Sequence, residues 1–211
     1  MWAIVVAAGS GTRFGGAKQF APLGGTTVLD RSVATALAHA DGVVVVLAPG
    51  ARWEPPSGVT VATGGATRSD SVRAGLAHVP EDAAVVVVHD AARPLAPGAL
   101  FEAVVRAVRE GADAAVPVVP VADTIKRVAD GRVVETVPRD DLVAVQTPQA
   151  FRAPVLRAAH AAGGSETDDA ALVEARGGTV VCVPGDPRNL KVTVAADLDV
   201  VRALAGAGGP A

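Results

Sequence analysis

A glycine-rich segment that ends in a lysine has the composition of a phosphate-binding loop. It reads AAGSGTRFGGAK over residues 7–18 and contains two cations, Arg13 and Lys18. Glycines let backbone N–H groups approach a phosphate closely, so the segment is predicted to bind a polyphosphate. A Walker A loop requires Gly-Lys-[Ser/Thr], and Ala17 before the lysine disfavours it. A dinucleotide-binding loop is also disfavoured, because the second apolar run ends in Leu47-Ala48-Pro49-Gly50 and not in an acid.

Lysine is scarce in this chain, and its few lysines are therefore informative. The 19 basic residues are 16 arginines and three lysines, Lys18, Lys126 and Lys191. A sequence that uses arginine so widely retains lysine where a compact point charge suits a phosphate better. The alternative for each lysine is an ordinary surface position.

An acidic motif follows the apolar run over residues 83–88. It reads His89-Asp90-Ala91-Ala92-Arg93-Pro94. Ligands of open α/β sheets bind beyond the carboxyl ends of the strands, and a carboxylate there is well placed to hold Mg²⁺ between phosphates. Asp90 is therefore a predicted ligand for a divalent cation, with an ion pair to Arg93 as the alternative. His89 is predicted to be a hydrogen-bonded core histidine.

Other motifs are expected to reach the same cleft. The segment 64–71, GGATRSDS, suits a close approach to a base or ribose, although helix capping explains much of it. Thr147-Pro148-Gln149 and residues 189–193 are each associated with a short apolar stretch. Thr167-Asp168-Asp169 is predicted to cap a helix, and Cys182 to lie in the core. Nothing in the sequence indicates covalent catalysis.

Short valine-rich runs alternate with longer amphipathic stretches. Continuous apolar runs of this length are typical of parallel strands buried on both faces. Strands are predicted at residues 3–8, 43–47, 59–62, 83–88, 114–119 and 179–183. Helices are predicted at about residues 28–39, 70–78, 99–110, 154–162, 168–175 and 196–204. The alternation predicts an α/β fold with a doubly wound, mostly parallel, Rossmann-like sheet.

One segment, residues 121–137, departs from this alternation. Asp130-Gly131 lies between two alternating stretches, which is a strong signal for a β-hairpin. An isolated hairpin is marginally stable in water, so it must pack against a second subunit or against its own sheet. No long linker divides the chain. Residues 1–211 are expected to form one domain with a frayed tail at 206–211.

The composition excludes several classes of protein. Hydrophobic residues make up 50% and charged residues 19%, which excludes intrinsic disorder. The net charge of −3 argues against binding nucleic acid through bulk charge. A single cysteine excludes a disulfide scaffold and a cysteine-built metal site. The apolar runs are too short for a bilayer, and the start shows no basic leader. We expect a cytoplasmic protein without nucleic-acid or membrane partners.

Taken in order, the motifs resemble those of the 2-C-methyl-D-erythritol 4-phosphate cytidylyltransferase family. Residues 7–13 with Lys18-Gln19 alone indicate only the wider nucleotidyltransferase superfamily. The more specific motifs are Gly64-Gly65 with Arg68 and Ser71-Val72, His89-Asp90-Ala91-Ala92-Arg93-Pro94, Asp123-Thr124, Thr147-Pro148-Gln149 and Asn189-Leu190-Lys191-Val192-Thr193. The resemblance covers nearly the whole chain and implies the nucleotidyltransferase version of the fold.

The resemblance implies a role for each candidate residue. CTP contacts are expected from Ala7, Ala8, Gly9, Ser10, Gly11, Arg13, Lys18, Gly65, Ser71, Asp90 and Ala91. Contacts with methylerythritol phosphate are expected from Asp90, Arg93, Thr124, Arg139, Thr147 and Lys191. Asp90 would hold Mg²⁺ or another divalent cation, and catalysis would depend on Arg13, Lys18, Arg139 and Lys191. The hairpin, residues 121–140, would be an arm that crosses to the partner in a homodimer, so that Thr124 and Arg139 serve the neighbour's site.

Four positions depart from the family's pattern. Ala17 stands where many relatives have proline, which leaves the loop before Lys18 less stiff. Ala66 stands where relatives often have an acid, Pro138 where a relative can have Asp, and Arg188 precedes Asn189. These departures bear on affinity and not on the reaction. No chemistry is assigned to Lys126.

The implied reaction transfers CMP from CTP to 2-C-methyl-D-erythritol 4-phosphate, giving 4-diphosphocytidyl-2-C-methyl-D-erythritol and pyrophosphate in non-mevalonate isoprenoid precursor synthesis. The attacking phosphate is already an anion, so no general base is required. One alternative is a ribitol-5-phosphate cytidylyltransferase or another nucleotidyltransferase. A second is a bifunctional relative that is fused to the next enzyme of the pathway, and no room for that second enzyme is expected after residue 211. A third is a non-catalytic nucleotide-binding regulator, against which the intact cations argue.

Overall fold

The computed structural model describes residues 1–164, 166 and 168–207; the predicted capping residue Thr167 and the tail residues 208–211 lie outside them. Within this part of the chain, eight strands form the central sheet. They are β1 (Trp2–Ala7), β4 (Gly42–Leu47), β5 (Val59–Thr63), β6 (Val85–Asp90), β7 (Ala114–Pro120), β10 (Val143–Val145), β11 (Gln149–Arg152) and β12 (Val180–Pro184). Two smaller ladders pair β2 (Pro22–Leu23) with β3 (Thr26–Thr27), and β8 (Ile125–Ala129) with β9 (Arg132–Val137).

Each of the six predicted helices is present, with its ends shifted by at most a few residues. They are α1 (Val28–His39), α2 (Arg68–Leu76), α3 (Gly98–Arg109), α4 (Ala153–Ala161), α5 (Asp169–Glu174) and α6 (Ala195–Ala207). Because α6 extends to Ala207, residues 206 and 207 are helical and not part of a frayed tail. Within the described residues, none of these helices has the length and apolar character that crossing a membrane requires.

Capping boxes set the starts of α1 and α2. The hydroxyl of Thr27 accepts a hydrogen bond from the Asp30 backbone N–H, and the Asp30 carboxylate accepts one from the Thr27 backbone. Thr67 and Asp70 repeat the arrangement. Each box satisfies two helix N–H groups that would otherwise lack partners. For this reason α2 begins at Arg68, two residues before the predicted start.

The central sheet is mostly parallel, as predicted. Its strand order is β10-β7-β11-β6-β1-β4-β5, and β12 pairs with β7 as well. Since β12 occupies one edge of β7, β10 and β11 share the other edge. The strands β1, β4, β5 and β6 run parallel, and β7 runs parallel to β12. Both β6 and β7 are antiparallel to β11, so the carboxyl ends of all six valine-rich strands lie at one edge of the sheet.

Helices cover both faces of the sheet, which confirms the doubly wound arrangement. On one face Leu29 and Val33 of α1 and Phe101 of α3 pack against alternate side chains of β1 and β4. On the other face Val72 of α2 and Leu156 of α4 pack against the intervening side chains. The central strands β1, β4 and β6 are therefore buried on both faces, which is why they appear in the sequence as unbroken apolar runs.

The strands β10 and β11 are absent from the predicted set. The strand β11 is antiparallel and short, and its ends are the polar residues Gln149 and Arg152, although Ala150 and Phe151 are fully buried. Four residues of mixed polarity carry too little periodicity to indicate a strand. Hydrogen bonding to both β6 and β7 forms the strand, and that pairing is invisible in the local sequence.

The prediction that Cys182 lies in the core is wrong, because its side chain is exposed. In the part of the chain that the structure describes, β12 lies at the edge of the sheet and pairs with β7 alone. Cys182 lines an open groove of about 810 Å³ together with Val118 and Leu142. An edge strand with one uncovered face has the same apolar appearance in sequence as a central one.

The predicted hairpin is present, and it does not join the central sheet. Strands β8 and β9 pair antiparallel across the Asp130-Gly131 turn and form a sheet of their own. Both turn residues have positive φ, 49° and 72°, as a two-residue hairpin turn requires. Nearly all of the hairpin side chains are exposed.

Candidate active site

A pocket of about 430 Å³ lies beyond the carboxyl ends of β1 and β6. It brings together the loop after β1, the start of α2, the residues after Asp90, and the segment around Lys191. Every residue predicted to contact CTP lines this pocket: Ala7, Ala8, Gly9, Ser10, Gly11, Arg13, Lys18, Gly65, Ser71, Asp90 and Ala91. Thr12, Gln19, Ala66, Thr67, Arg68 and Thr193 also line it, and no role was predicted for them from the sequence.

The loop after β1 is a tight turn that only glycine can close. The carbonyl of Gly11 accepts hydrogen bonds from the backbone N–H groups of Phe14, Gly15 and Gly16. Gly11 itself has a φ of 65°, and a Cβ atom there would lie 1.8 Å from the Gly16 carbonyl oxygen. The turn holds Arg13 and Lys18 on the rim of one pocket, as a polyphosphate site requires.

Glycine is equally necessary at residue 65, in the part of the pocket lining that precedes α2. A Cβ atom at Gly65 would lie 2.3 Å from the Cβ of Asp70, the residue that closes the capping box of α2. The loop can therefore lie against the first turn of α2 only without a side chain at this position. Helix capping accounts for part of the GGATRSDS motif, because Thr67 and Asp70 form the capping box, while the hydroxyl of Ser71 donates to the carbonyl of Thr67.

Asp90 lies between two cations at the end of β6. One oxygen, Oδ2, is 2.6 Å from Lys191 Nζ, and the other, Oδ1, is 3.3 Å from Arg68 Nε. Burial alone would raise the pKa of Asp90, but the charges of Arg68 and Lys191 outweigh it and hold the pKa well below its usual range. Asp90 is thus ionised, and its partners are Arg68 and Lys191; the predicted alternative, an ion pair with Arg93, is not formed.

Arg68 also reaches a second carboxylate. Its Nη1 is 2.7 Å from Oδ2 of Asp169, which is fully buried at the start of α5. The other Asp169 oxygen, Oδ1, is 2.9 Å from His160 Nε2 on α4. Burial lowers the pKa of Arg68, but Asp90 and Asp169 raise it by more, so the guanidinium stays charged. A chain of polar contacts therefore runs from Lys191 in the pocket through Asp90, Arg68 and Asp169 to His160 in the interior.

Lys18 connects the loop after β1 to the segment at the other end of the chain. Its Nζ donates a 2.6 Å hydrogen bond to the carbonyl of Val192, 174 residues away. Burial lowers the pKa of Lys18, and the nearby charge of Lys191 lowers it further. The two lysines thus face the same space and repel each other, which favours an anion between them.

Thr147 and Arg93 lie behind Asp90 and do not line the pocket. The hydroxyl of Thr147 accepts a 3.0 Å hydrogen bond from the Asp90 backbone N–H and lies 3.1 Å from Nδ1 of His89. His89 Nε2 is 3.2 Å from the Arg93 carbonyl, which can only accept, so the proton is on Nε2 and Nδ1 accepts from Thr147. Burial lowers the pKa of His89 to about 4, which keeps the ring neutral. The prediction of His89 as a bonded core histidine agrees with this arrangement.

Arg93 fastens the segment around Lys191 to the tip of β6. Its guanidinium donates to the carbonyls of Asn189 at 2.7 Å and Val145 at 3.3 Å. The side-chain amide of Asn189 in turn donates to the carbonyl of Thr147 at 2.9 Å. These hydrogen bonds hold in place the backbone segment that carries Lys191.

Thr124 and Arg139 lie outside this pocket. Both are in the hairpin region, where Arg139 donates to the carbonyl of Ala122 and borders the groove that contains Cys182. Thr124 is exposed. One chain therefore brings Arg13, Lys18 and Lys191 together but not the fourth predicted catalytic cation, Arg139.

Arg68 and Asp169 are functional candidates whose role the sequence did not reveal, although Arg68 belongs to one of the family-like motifs and Asp169 to a predicted helix cap. Arg68 opens α2, where the helix dipole disfavours a cation and favours an acid. A basic residue at the first position of a helix is thus a signal that carboxylates from elsewhere compensate it. Which carboxylates do so depends on the packing of α2 against α4 and α5, and no spacing in the sequence shows that.

Asp90 fits the way proteins hold Mg²⁺. Within the described residues, no three or more His, Cys, Asp or Glu side chains are arranged to bind a metal. Mg²⁺ does not need such a group, because it commonly takes one or two carboxylates and completes its shell with substrate phosphates and water. An ionised carboxylate in a pocket that is predicted to bind a polyphosphate meets that description.

Comparison with known proteins agrees with this geometry. A family model described as IspD, 2-C-methyl-D-erythritol 4-phosphate cytidylyltransferase, matches residues 1–206. The enzyme of that name from Frankia casuarinae is 50% identical, over 99% of this chain and 82% of the relative. The one from Rhodococcus jostii is 49% identical, over 98% of this chain and 95% of the relative.

A solved structure shares the fold. The crystal structure of 2-C-methyl-D-erythritol 4-phosphate cytidylyltransferase from Thermus thermophilus matches with a TM-score of 0.84 at 38% identity, covering 97% of this chain and 98% of that one. The fold predicted from the valine-rich runs is therefore confirmed. The order of the motifs, the pocket at the ends of β1 and β6, and these likenesses agree, and the chain belongs to the 2-C-methyl-D-erythritol 4-phosphate cytidylyltransferase family.

Proposed function

We propose that this protein transfers CMP from CTP to 2-C-methyl-D-erythritol 4-phosphate, releasing pyrophosphate. The observation that carries the proposal is the arrangement of charge in the pocket: Lys18, Lys191 and Arg68 surround Asp90 where β1 and β6 end. The relatives from Frankia casuarinae and Rhodococcus jostii are named for this activity, which supports it. The product is 4-diphosphocytidyl-2-C-methyl-D-erythritol.

The loop after β1 is suited to the triphosphate of CTP. Its backbone turns tightly around Gly11, and Arg13 and Lys18 add two positive charges on the same rim. Gly65 and Ser71 line the same pocket and are suited to the nucleoside, and the absence of a Cβ at Gly65 lets its loop lie against Asp70. Lys191 lines the same pocket, pairs with Asp90 and is suited to the phosphate of the acceptor.

The reaction needs no general base. A phosphate oxygen of the acceptor forms a bond to the α-phosphorus of CTP, and the bond from that phosphorus to the bridging oxygen breaks, so pyrophosphate leaves with the electron pair. The protein has to hold two polyanions in line and stabilise the charge on the transferring phosphoryl group. Lys18 and Lys191 are placed for this work, because the site concentrates cations in a protein whose net charge is −3.

A divalent cation, Mg²⁺ or another, would be held by Asp90. The cation would neutralise the phosphate charge and favour the departure of pyrophosphate. Lys191 has 42% of its side chain exposed and is free to exchange its hydrogen bond to Asp90 for one to the acceptor. Arg68 keeps the other oxygen of Asp90 occupied.

Pyrophosphate release tests the proposed activity. We expect release with CTP and 2-C-methyl-D-erythritol 4-phosphate together, and background levels when either is omitted. ATP and GTP in place of CTP, and ribitol 5-phosphate in place of the acceptor, are the matched arms. Faster turnover with ribitol 5-phosphate would overturn the acceptor, and CTP binding without turnover in every arm would indicate a nucleotide-binding regulator.

We also propose that the hairpin is an arm that pairs two chains in a homodimer. Its strands expose Val128, Val133 and Val134, three large apolar side chains that a solvated hairpin would not retain. The hairpin forms its own two-stranded sheet and is too small to be stable without further packing. Across a two-fold axis, Thr124 and Arg139 would reach the pocket of the partner.

Mixing two inactive variants tests this arrangement. Lys18→Ala and Arg139→Ala homodimers should each be nearly inactive. A heterodimer of the two would contain one site with neither change, so co-expression should restore about a quarter of wild-type activity, since half of the dimers are mixed and half of their sites intact. If Arg139 served the pocket of its own chain, or if the protein were a monomer, no activity would return.

A further inference from the structure

We propose that Arg68, held in place by Asp169, is a positioning residue that fixes the orientation of Asp90 during cytidylyl transfer. The proposal deepens the proposed function and rests on it. It makes the start of α5, which does not reach the pocket, part of the apparatus that sets the reaction geometry.

Arg68 is anchored at its far end. Its Nη1 is 2.7 Å from Asp169, whose side chain is fully buried and whose other oxygen is taken by His160 at 2.9 Å. Asp169 therefore has no free oxygen with which to follow a moving guanidinium. The planar fork of arginine lets its Nε reach Asp90 while Nη1 stays on Asp169, a span that a single ammonium group cannot make.

The two cations that pair with Asp90 differ in how freely their side chains can move. The side chain of Lys191 is 42% exposed and ends in a flexible ammonium, whereas that of Arg68 is 22% exposed and bonded to a buried carboxylate. When anionic substrates enter, Lys191 can turn toward them, but Arg68 cannot. With Oδ1 fixed on Arg68, the second oxygen of Asp90 stays directed at Lys191 and the pocket.

Loss of the Asp169 charge should therefore act on turnover more than on nucleotide binding. Arg68 would remain a cation near the pocket, so the attraction for CTP would persist. It would no longer be held, and Asp90 could rotate away from its working position. Partners that orient a site residue from behind typically contribute 10–100-fold, so we expect kcat to fall roughly 10-fold or more while KM for CTP changes less than about threefold.

A double-mutant cycle tests this coupling. Asp169→Asn keeps the shape of the side chain and removes its charge, and Arg68→Gln removes the group through which it would act. If Asp169 acts through Arg68, the Asn substitution should lower kcat in the wild-type background and have little further effect in Arg68→Gln. Arg73→Gln breaks an ion pair with Asp70 on the same helix, outside the pocket, and should leave kcat within about twofold as the matched control.

Arg68→Lys keeps the proposal testable if Asp169→Asn folds poorly. Lysine retains the charge but cannot span Asp90 and Asp169, so kcat should fall as in Asp169→Asn, with an unfolding midpoint close to wild type. Wild-type kcat in Arg68→Lys, additive losses in the cycle, or a change confined to KM would overturn the proposal. Turnover of the wild-type protein with CTP and the acceptor is measured in the same series, and its absence would refute the proposed function instead.

Discussion

Replacing Lys18 with alanine should lower kcat by roughly 10²–10³-fold, the loss typical of a group that stabilises transition-state charge. Its ammonium lies at the end of the loop after β1, beside Lys191, and is held by the carbonyl of Val192. Bringing a triphosphate to this point relieves the repulsion between the two lysines, and charge on the transferring phosphoryl group strengthens the interaction. Steady-state kinetics of pyrophosphate release, with CTP and acceptor varied separately, measure the effect.

Two further variants complete this test. Lys126→Ala removes an exposed hairpin lysine that donates to Thr136, and its kcat should stay within about twofold of wild type. Lys18→Arg keeps the charge but replaces a compact ammonium with a planar fork, so it should recover only part of the loss. A Lys18→Ala protein that retained most of its kcat would show that Lys18 does not act on the transition state.

The fold was predictable where the sequence carries a long, regular signal. The valine-rich runs indicated the buried parallel strands, because burial on both faces removes polar residues from the whole run. The same logic failed for Cys182, since an edge strand with one open face also appears apolar. It failed for β11 because four residues that end in Gln149 and Arg152 have no recognisable period.

The site was predictable where a residue follows the end of a strand. Asp90 and the loop after β1 each come directly after a valine-rich run, so their convergence at one sheet edge followed from the parallel arrangement. The partners of Asp90 did not follow from it. Lys191 is 101 residues away along the chain, and the bridge through Arg68 depends on how α2 packs beside α4 and α5. The sequence thus predicted that Asp90 meets the loop after β1 but not which side chains pair with Asp90.

Replacing Lys191 with alanine should reduce kcat/KM on the order of 10²-fold, through two effects with one cause. The acceptor phosphate loses the cation that faces it, and Asp90 loses the partner 2.6 Å from its Oδ2 while Arg68 keeps Oδ1. Because Lys191 is assigned to the acceptor phosphate, and Arg13 and Lys18 to the triphosphate, KM for 2-C-methyl-D-erythritol 4-phosphate should rise much more than KM for CTP. Initial rates over a grid of both substrates separate the two constants.

Arg188 provides the matched control for Lys191, because it lies three residues earlier in the same segment and is exposed, with its guanidinium on the carbonyl of Leu204. Arg188→Gln removes a positive charge from the same region without entering the pocket, so both KM values should stay within about twofold. If Lys191 acted only through the general attraction of a positive charge for anions, Lys191→Ala and Arg188→Gln would change the two KM values equally. A rise confined to KM for CTP in Lys191→Ala would place Lys191 on the nucleotide and leave the acceptor phosphate to Arg139 of the proposed arm.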